Sequence, residues 1–169
     1  MVEADAASML AIYRPYVERT VISFEIEVPT LEEYAARVRT YVTGWAGVVA
    51  EMHGDLVAYA YGSPHRDRPA YRWSVGTTVY VAPGFHRRGI GRRLYEALLP
   101  ALASKGFCNA YAGVTLPNAA SVDLHRAVGF QPIGTFSRVG FKFGQWRDVA
   151  WFQQALRARP PSSGAEGAA

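Results

Sequence analysis

The amino-acid sequence predicts an α/β (α+β) fold, in which a mixed sheet is covered by helices on both sides. Two amphipathic helical patterns open the chain, and two apolar runs joined by a turn follow them. Strand and helix patterns then alternate until two strand patterns close the chain, without an internal repeat. We therefore expect a single domain over residues 1–159. The segment PPSSGAEGAA has nothing to bury, so we expect 160–169 to be a disordered tail.

Both opening helices are marked by capping residues. Asp5 is the predicted N-cap of the first helix, whereas Thr30 and Glu33 form a capping box ahead of the second, in TLEEYAARV. The first helix carries four apolar residues on one face: Met9, Ile12, Tyr13 and Tyr16. This spacing is typical of a helix that packs against a sheet.

The middle of the chain predicts a hairpin followed by a single strand. The segment GVVAEMHGDLVAYAYGS has two apolar runs about a His-Gly-Asp turn, which is typical of a β-hairpin. The segment YRWSVGTTVYV alternates and predicts a strand that ends at Pro83. One face of this strand holds Val75, Thr77, Val79 and Val81, and the other holds Gly76, Thr78 and Tyr80.

The second half of the chain predicts two further helices and three further strands. From Gly91 onward, leucines recur at successive turns and predict a helix to about Lys105. The segment CNAYAGV predicts a strand. PNAASVDLHRAVGF then predicts a short helix with Asn118 as its N-cap and Gly129 as its stop. The last two strands are predicted by GTFSRVGFKFG and RDVAWFQQAL.

Composition and charge exclude several classes of protein. Half of the residues are apolar, 19% are charged, and no apolar run is long enough to cross a membrane. The N-terminus lacks a secretory leader, so we expect a cytoplasmic location and no membrane partner. Cys108, the single cysteine, begins a predicted strand, and a packed thiol is favoured over a nucleophile there. The formal net charge of +4 favours an anionic partner without identifying it.

The junction VYVAPGFHRRGIGRRLYEALL places three glycines and four arginines between a strand and a helix. The first amides of a helix lack internal partners and lie at the positive end of its dipole, so such a junction can hold phosphate. It is not a nucleotide-triphosphate loop, because no Lys-Ser/Thr pair follows its last glycine. It is not a dinucleotide fingerprint either, because Leu94 replaces the third glycine. The alternative is a solvated helix start with exposed arginines.

The residues VYVAPGFHRRGIGRRLYEAL resemble the acetyl-CoA motif of the GNAT N-acetyltransferases, in which Gln or Arg, two residues, Gly, one residue and Gly or Ala follow one another. The resemblance implies that acetyl-CoA is the co-substrate, with its pyrophosphate on the amides of residues 87–92 and its pantetheine along the strand end. The implied coenzyme-binding residues are Val79, Val81, His86, Arg87, Arg88, Gly89, Ile90, Gly91, Arg92 and Asn118. His86 departs from the motif, since it stands where the family has Gln or Arg.

Three further segments are similar to the phosphinothricin acetyltransferase branch of this family: AYRWSVGTTVYV, TLPNAASVDLHRAVGF and VGFKFGQWRDV. The branch acetylates the amino group of small acidic amino-acid analogues and is commonly dimeric, so a homodimer is expected here. The resemblance implies a mostly antiparallel central sheet flanked by helices. The family's usual first edge strand would precede Met1, so either the reading frame starts late or that edge is truncated here.

The resemblance also assigns the catalytic positions. The family's general base is generally a glutamate in Val-Glu-x-x-Val-Tyr-Val, and this chain has VGTTVYV, with Gly76 in its place. His125 matches a position where many members have a tyrosine thought to protonate the thiolate, and where this branch has histidine. Its near-neutral pKa suits a donor or, without a carboxylate at position 76, a base. A packed helix histidine is the alternative. Tyr80 shares the strand face of Gly76, about 13 Å along it.

The acceptor would meet the loop SPHRDRPAYRW, which aligns with a basic loop that contacts the substrate's acidic groups in the resembled branch. Arg66 and Arg68 fit that role because a guanidinium pairs well with carboxylate and phosphinate oxygens. An ordinary exposed loop is the alternative. Phe24 matches an apolar residue at the substrate end, or is core, and Tyr80 can line the same cleft. Asn118 contacts the coenzyme or only caps its helix.

Three functions follow in order of preference. The first is an acetyl-CoA-dependent N-acetyltransferase acting on a small acidic amine, without a metal. The second is a weakly active or non-catalytic acyl-CoA-binding protein, because Gly76 lacks the carboxylate. The third is nucleic-acid binding through HRRGIGRR, which the absence of an aromatic-rich basic stripe disfavours, so we expect no nucleic-acid partner.

Overall fold

The computed structural model describes residues 1–158, and within them it contains the helices and strands that the sequence predicts, in the predicted order. They are α1 (Ala6–Arg19), α2 (Leu31–Gly44), β1 (Gly47–Met52), β2 (Asp55–Pro64), β3 (Ser74–Val81), α3 (Ile90–Ser104), β4 (Asn109–Thr115), α4 (Ala119–Ala127), β5 (Gln131–Lys142) and β6 (Gln145–Ala155). The predicted tail, 160–169, lies outside the described residues. No helix of residues 1–158 combines the length and apolar character that a membrane crossing requires.

The two predicted helix starts differ in how their capping side chains bond. Thr30 and Glu33 form the predicted capping box: the Glu33 amide donates to Thr30 Oγ1 (3.2 Å), and the Thr30 amide donates to Glu33 Oε2 (2.8 Å). Asp5 occupies the N-cap position of α1, but its carboxylate accepts from the amide of Val2 (2.7 Å) rather than from a helix amide. The predicted position was right and the predicted bond was wrong, because the preceding 3₁₀ turn brings the Val2 amide closer.

The six strands form one sheet in the order β1-β2-β3-β4-β6-β5. Every neighbouring pair is antiparallel except β3 and β4, which are parallel. This parallel pair is short, because residues 74–76 pair with 109–111 and the strands then separate. The separation opens a cleft between the far ends of β3 and β4, and this is the feature that positions the site.

Helices cover both faces of the sheet, as predicted. On one face α3 packs its leucines on the inward residues of β3, β4 and β6, including Val75, Ala110 and Phe152. On the other face α1 and α2 form a tyrosine-rich cluster with β2 and β3. The predicted mixed, mostly antiparallel sheet flanked by helices is confirmed. A 3₁₀ turn, α1 and α2 precede β1 in the chain, β1 forms one edge of the sheet, and the Met1 side chain packs beside Gly47 of β1.

The hairpin of β5 and β6 differs from the rest of the sheet because it presents apolar side chains to solvent. Phe141 and Trp146 contact each other edge to face across it, and both are more than half exposed. Lys142 points inward instead and is buried. Its Nζ donates to the carbonyls of Val17 and Ser23, each at 2.7 Å, which ties the hairpin to the segment after α1.

Candidate active site

The cleft between β3 and β4 begins where their pairing ends, beyond Gly76 and Tyr111. It encloses about 120 Å³ and is bordered by β3, β4, α4 and one residue each from α3 and the segment after α1. Its lining residues are Ile22, Thr77, Thr78, Val79, Tyr80, Tyr95, Gly113, Val114, Thr115, Asn118, Ser121 and His125. The structure thus brings together the predicted residues Val79, Tyr80, Asn118 and His125.

The backbone of β3 turns groups toward this cleft that are not paired with β4. The carbonyl of Trp73, just before β3, accepts from the amide of Cys108 (2.8 Å), and the amide of Ala82, just after β3, donates to Val57 (2.8 Å). Since strand backbone groups alternate in direction, odd-numbered residues of β3 point toward β4 and even-numbered residues toward β2. Beyond residue 76 the odd positions 77, 79 and 81 therefore face the gap, as hydrogen bonding to a pantetheine requires.

His86 belongs to the turn that follows β3, and its side chain points back to the end of the strand. Its Nε2 is 3.0 Å from the carbonyl oxygen of Val81 and 2.8 Å from the hydroxyl of Tyr16, which itself donates to Val81. The motif residue that departs from the family pattern is therefore used to join α1 to β3.

The turn after β3 and the start of α3 form an open cradle of amides. Gly84 and Gly89 have left-handed φ angles of +86° and +74°, and a Cβ at either would meet no atom within 4 Å. The amide of Arg93 donates to Gly89 (3.1 Å) and is the first of α3 to reach a carbonyl of this turn, so the preceding amides lack such partners. Gly91 is needed for packing, because a Cβ there would lie 3.0 Å from Leu124 Cδ2 of α4.

The arginines of the cradle extend into solvent. Arg92 pairs with Glu96 one turn later (2.8 Å), and Arg88 lies over the ring of Phe85 at 5.2 Å. Arg87 is exposed and adopts a left-handed φ of +59°. Backbone amides form the inner surface of the cradle, and the guanidinium groups add positive charge around it. This arrangement suits a pyrophosphate.

His125 is the one buried residue of α4, with 3% of its surface exposed, and both of its nitrogens are engaged. Nδ1 lies 2.7 Å from the carbonyl oxygen of Ser121, so Nδ1 carries the proton and donates it. Nε2 then accepts from the hydroxyl of Tyr95 at 2.9 Å, and that hydroxyl also lies 3.3 Å from Thr77 Oγ1. Burial lowers the pKa of His125, and the bond to Ser121 partly opposes this. The imidazole is therefore neutral and reaches the cleft through Tyr95.

Tyr80 lies on the face of β3 predicted for it and packs among other tyrosines. Its ring contacts Tyr13 edge to face at 5.0 Å, Tyr16 at 4.9 Å and Tyr59 at 5.6 Å. Burial, followed by the neighbouring Tyr13, raises its pKa well above the ordinary tyrosine value. Tyr80 is therefore a neutral wall of the cleft at neutral pH.

Gly76 stands at the closed end of the cleft, paired with Ser63 of β2 and Tyr111 of β4. A Cβ at this position would lie 3.2 Å from Ser63 Oγ, which is a tight but open fit. The ring of His65, which follows β2, stacks on Tyr111, with centroids 4.1 Å apart and planes inclined by 19°. The sequence reasoning missed His65 and Tyr95. His65 was present in the basic loop SPHRDRPAYRW, where only the arginines were considered.

Arg66 and Arg68 do not line the cleft between β3 and β4. They border a second cavity, of about 390 Å³, at the start of β3, which they share with His65, Tyr71 and Ser74. Phe24, in the segment after α1, borders neither cavity. It packs against β5, where its ring covers Gly140 so closely that a Cβ at that glycine would overlap it. The structure therefore links the predicted arginines to the closed end of the cleft only through the loop that carries His65.

Two smaller predictions concern single side chains. Asn118 caps α4, because its Oδ1 accepts from the amide of Ser121 (3.1 Å), and it also lines the cleft. Cys108 is a buried free thiol, so the predicted packing is confirmed. Among residues 1–158 no group of His, Cys, Asp and Glu side chains is arranged to bind a metal ion.

Comparisons with known proteins agree with this geometry. Residues 1–151 match the family model for an acetyltransferase (GNAT) domain. The chain is 42% identical over 168 residues to a phosphinothricin N-acetyltransferase of Streptomyces coelicolor, covering 92% of this chain and 93% of that one. It is 31% identical to an L-methionine sulfoximine/L-methionine sulfone acetyltransferase of Salmonella typhimurium, covering 91% of each chain.

A similar solved structure is the GNAT phosphinothricin acetyltransferase of Sinorhizobium meliloti in complex with acetyl-CoA. Its TM-score is 0.91 at 34% identity, over 99% of this chain and 91% of that chain. The similarity therefore extends over the whole sheet, including β3 and β4, which border the cleft.

Proposed function

Because this chain belongs to the GNAT acetyltransferase family and is an acetyl-CoA-dependent N-acetyltransferase, we propose that it acetylates a small acidic amino-acid-like molecule of the phosphinothricin or methionine sulfoximine type. The observation that carries this acceptor class is the cationic loop that carries His65, where Arg66 and Arg68 border a second cavity of about 390 Å³ beyond the closed end of the cleft. Guanidinium groups pair with carboxylate and phosphinate oxygens. Relatives of this chain are named for acceptors of that chemistry.

Acetyl-CoA supplies the acetyl group as a thioester. The residues of the chain fit it, because open amides at residues 87–92, the left-handed Gly89 and the outward arginines suit a pyrophosphate. Positions 79 and 81 of β3 present backbone groups for the pantetheine, and Asn118 lies beside them on the cleft wall. His86 supports this end of β3 through Val81 and Tyr16 and serves as a positioning residue.

His125 acts in this proposal through Tyr95. The buried imidazole accepts a hydrogen bond from the Tyr95 hydroxyl and so directs that hydroxyl, which lines the cleft. The hydroxyl has one proton, so it would donate that proton to the sulfur that carries the leaving negative charge by turning away from Nε2. Tyr80 supplies apolar surface at the cleft wall, whereas Phe24 packs against Gly140 of β5.

The acceptor class is tested by a screen of amines with acetyl-CoA, reading the free thiol released. We expect turnover with L-phosphinothricin or L-methionine sulfoximine. Esterifying the carboxylate should lower kcat/KM by at least about tenfold, because one charge-assisted pair contributes about that much to binding. Equal rates for acid and ester would exclude the acidic acceptor. Acetyl-CoA binding without turnover on any amine would favour the weakly active or acyl-CoA-binding alternative.

We also propose that the chain forms a homodimer through the β5–β6 hairpin. Six large apolar side chains of this hairpin are about half exposed or more: Ile133, Phe136, Val139, Phe141, Phe143 and Trp146. Large apolar side chains exposed together on one hairpin are typical of an interface. Light scattering of the purified protein should give a dimer, and Phe141→Glu should give a monomer. Leu31→Glu on α2, also about half exposed, is the matched control and should stay dimeric.

A further inference from the structure

An N-acetyltransferase must obtain its amine in the neutral form, and the cleft carries no carboxylate for this purpose. An alkylammonium ion has a pKa near that of lysine, about 10.4, so it is almost wholly protonated at neutral pH. None of the residues that line the cleft in the described part of the chain is Asp or Glu. A different group must therefore accept the proton.

His125 is poorly placed to accept that proton directly. Its Nδ1 donates to Ser121, its Nε2 accepts from Tyr95, and only 3% of its surface is exposed. It also lies on the α3 side of the sheet, where it packs against Phe130 and Phe152. An amine entering from the loop side of the sheet would meet other groups first.

His65 reaches the closed end of the cleft from the opposite side. Ser63, Gly76 and Tyr111 are cross-strand neighbours on β2, β3 and β4. Adjacent strands lie about 4.8 Å apart, so a side chain that leaves the end of β2 must pass over β3 to contact β4. The His65 ring makes this crossing, because it stacks on Tyr111 at 4.1 Å and meets the edge of Trp151 at 6.2 Å.

Glycine at position 76 makes the crossing possible. Tyr111 shares the sheet face of Gly76, because the alternate residues Ala110 and Ala112 are buried against α3. A side chain longer than a methyl group at position 76 would project into the space beneath the imidazole. Glycine at position 76 and histidine at position 65 therefore belong together, because the histidine ring uses the space that a side chain at position 76 would fill.

We propose that His65 is the proton acceptor for the acceptor amine. Within residues 1–158 its imidazole nitrogens make no hydrogen bond, so a lone pair is available to an ammonium ion. The ammonium gives one proton to His65, and the nitrogen lone pair forms a C–N bond to the acetyl carbonyl carbon. The C–S bond breaks with its electrons on sulfur, and sulfur takes the second proton released by the new amide nitrogen. His65 then returns its proton to solvent, so atoms and charge balance.

The surroundings of His65 keep it neutral near pH 7. Partial burial, followed by the charge of Arg66, lowers its pKa below the ordinary value of 6.5. The ring neighbours are Tyr71 from its own loop, Tyr111 from β4 and Trp151 from β6. The charged residues among the described part of the chain that share the cavity with it are Arg66, Asp67, Arg68 and Arg72. Of these, the charge of Arg66 acts on His65 and favours the neutral imidazole.

The test compares pH profiles of His65→Phe and wild type, using whichever amine the wild type acetylates fastest. Phenylalanine keeps a flat ring on Tyr111 and removes both nitrogens. We expect wild-type kcat/KM to rise through a pKa below 6.5 and then level off. In His65→Phe it should fall by roughly a hundredfold at pH 7 and keep rising with pH toward the pKa of the amine. His53→Phe, in the β1–β2 turn, is the matched control and should keep the wild-type profile.

Two further measurements do not depend on the folding of one variant, and the first of them needs no acceptor. NMR titration of the coenzyme-free protein should give His65 a pKa below 6.5 that is lost in His65→Phe. In a His65→Gln background, adding Gly76→Glu should restore part of the lost rate by placing a carboxylate at the closed end. A wild-type pH profile in folded His65→Phe and His65→Gln would overturn the proposal. If the wild type acetylated only non-acidic amines, the proposed acceptor class would be wrong. The His65 test could still be carried out with those amines.

Discussion

The two ends of β3 differ in the chemical groups that surround them: backbone amides at one end and side chains at the other. At the proposed coenzyme end, backbone amides and left-handed glycines form an open surface, and side chains point outward or support the strand. At the acceptor end, side chains from β2, β4 and the intervening loop meet above Gly76. A surface of amides tolerates substitution because every residue supplies the same group. A surface of side chains changes its chemistry with each substitution.

The departures from the family pattern have unequal weight for this reason. His86 replaces a Gln or Arg at the coenzyme end, and it does so without disturbing the amides after it. Gly76 replaces a carboxylate at the acceptor end, where no backbone group can take over its chemistry. The second change therefore calls for a compensating side chain, and the first does not.

The largest effect should come from filling the coenzyme end. Gly89→Leu should abolish the stabilisation by acetyl-CoA, which at a concentration of about 100 Kd is worth about 2.7 kcal/mol in wild type. Leucine would occupy the open space beside the amides and strain a left-handed φ of +74°. Thermal denaturation with and without acetyl-CoA measures this. Gly54→Leu, also left-handed and open, should lose stability yet keep the shift. A retained shift in Gly89→Leu would place the pyrophosphate elsewhere.

His125→Phe tests the part of the cleft wall that His125 and Tyr95 form between the two ends of β3. Turnover should fall by roughly a hundredfold, while the acetyl-CoA shift stays unchanged, because the Tyr95 hydroxyl loses the partner that directs it. Tyr95→Phe should lower turnover to a similar extent, since the hydroxyl is the link to the cleft. Steady-state kinetics on both variants decides the matter. A large loss in His125→Phe with a normal Tyr95→Phe would leave packing as the role of the histidine.

Arg66→Ala and Arg68→Ala should act only at the acceptor end. Each should raise KM for an acidic acceptor by about tenfold, the share of one charge-assisted hydrogen bond, and leave the acetyl-CoA shift unchanged. Arg14→Ala on α1, whose guanidinium pairs with Glu18 at the surface, is the matched control. If KM for a non-acidic amine rose equally, the arginines would not be reading the acid group.

Acid should destabilise the protein through His125. Its folded-state pKa lies below the unfolded value of about 6.5, so the unfolded chain binds more protons in that interval. Stability is therefore complete above pH 6.5 and falls as the pH drops below it. His125→Phe should flatten the dependence of Tm on pH between about 7 and 5. A slope identical to wild type would show that other groups control acid unfolding.

His86→Gln should have the smallest effect. Glutamine can replace the contact to Val81, and the amides of the turn remain, so acetyl-CoA affinity should change by no more than about threefold. Isothermal titration measures this difference directly. A loss comparable to that of Gly89→Leu would contradict the view that the coenzyme end depends on backbone rather than side chains.

Much of the fold and half of the site were predictable because their signals are local. The capping box of Thr30 and Glu33, the alternation through Val79 and the glycines before α3 each depend on residues close in sequence. The acceptor end was less accessible. Arg66 and Arg68 were predicted for their charge, but their cavity lies apart from the cleft, and the neighbouring His65 was not predicted.

The sequence by itself determined the order of helices and strands, the faces of β3 and the amide cradle, since hydrophobic period and glycine position act over a few residues. Only the tertiary structure decided which side chains meet at the closed end of the cleft. Sheet pairing brings Ser63, Gly76 and Tyr111 side by side although long segments separate them in the chain. The same long-range packing engaged both nitrogens of His125 and left those of His65 open, because burial and hydrogen bonding depend on neighbours distant in sequence.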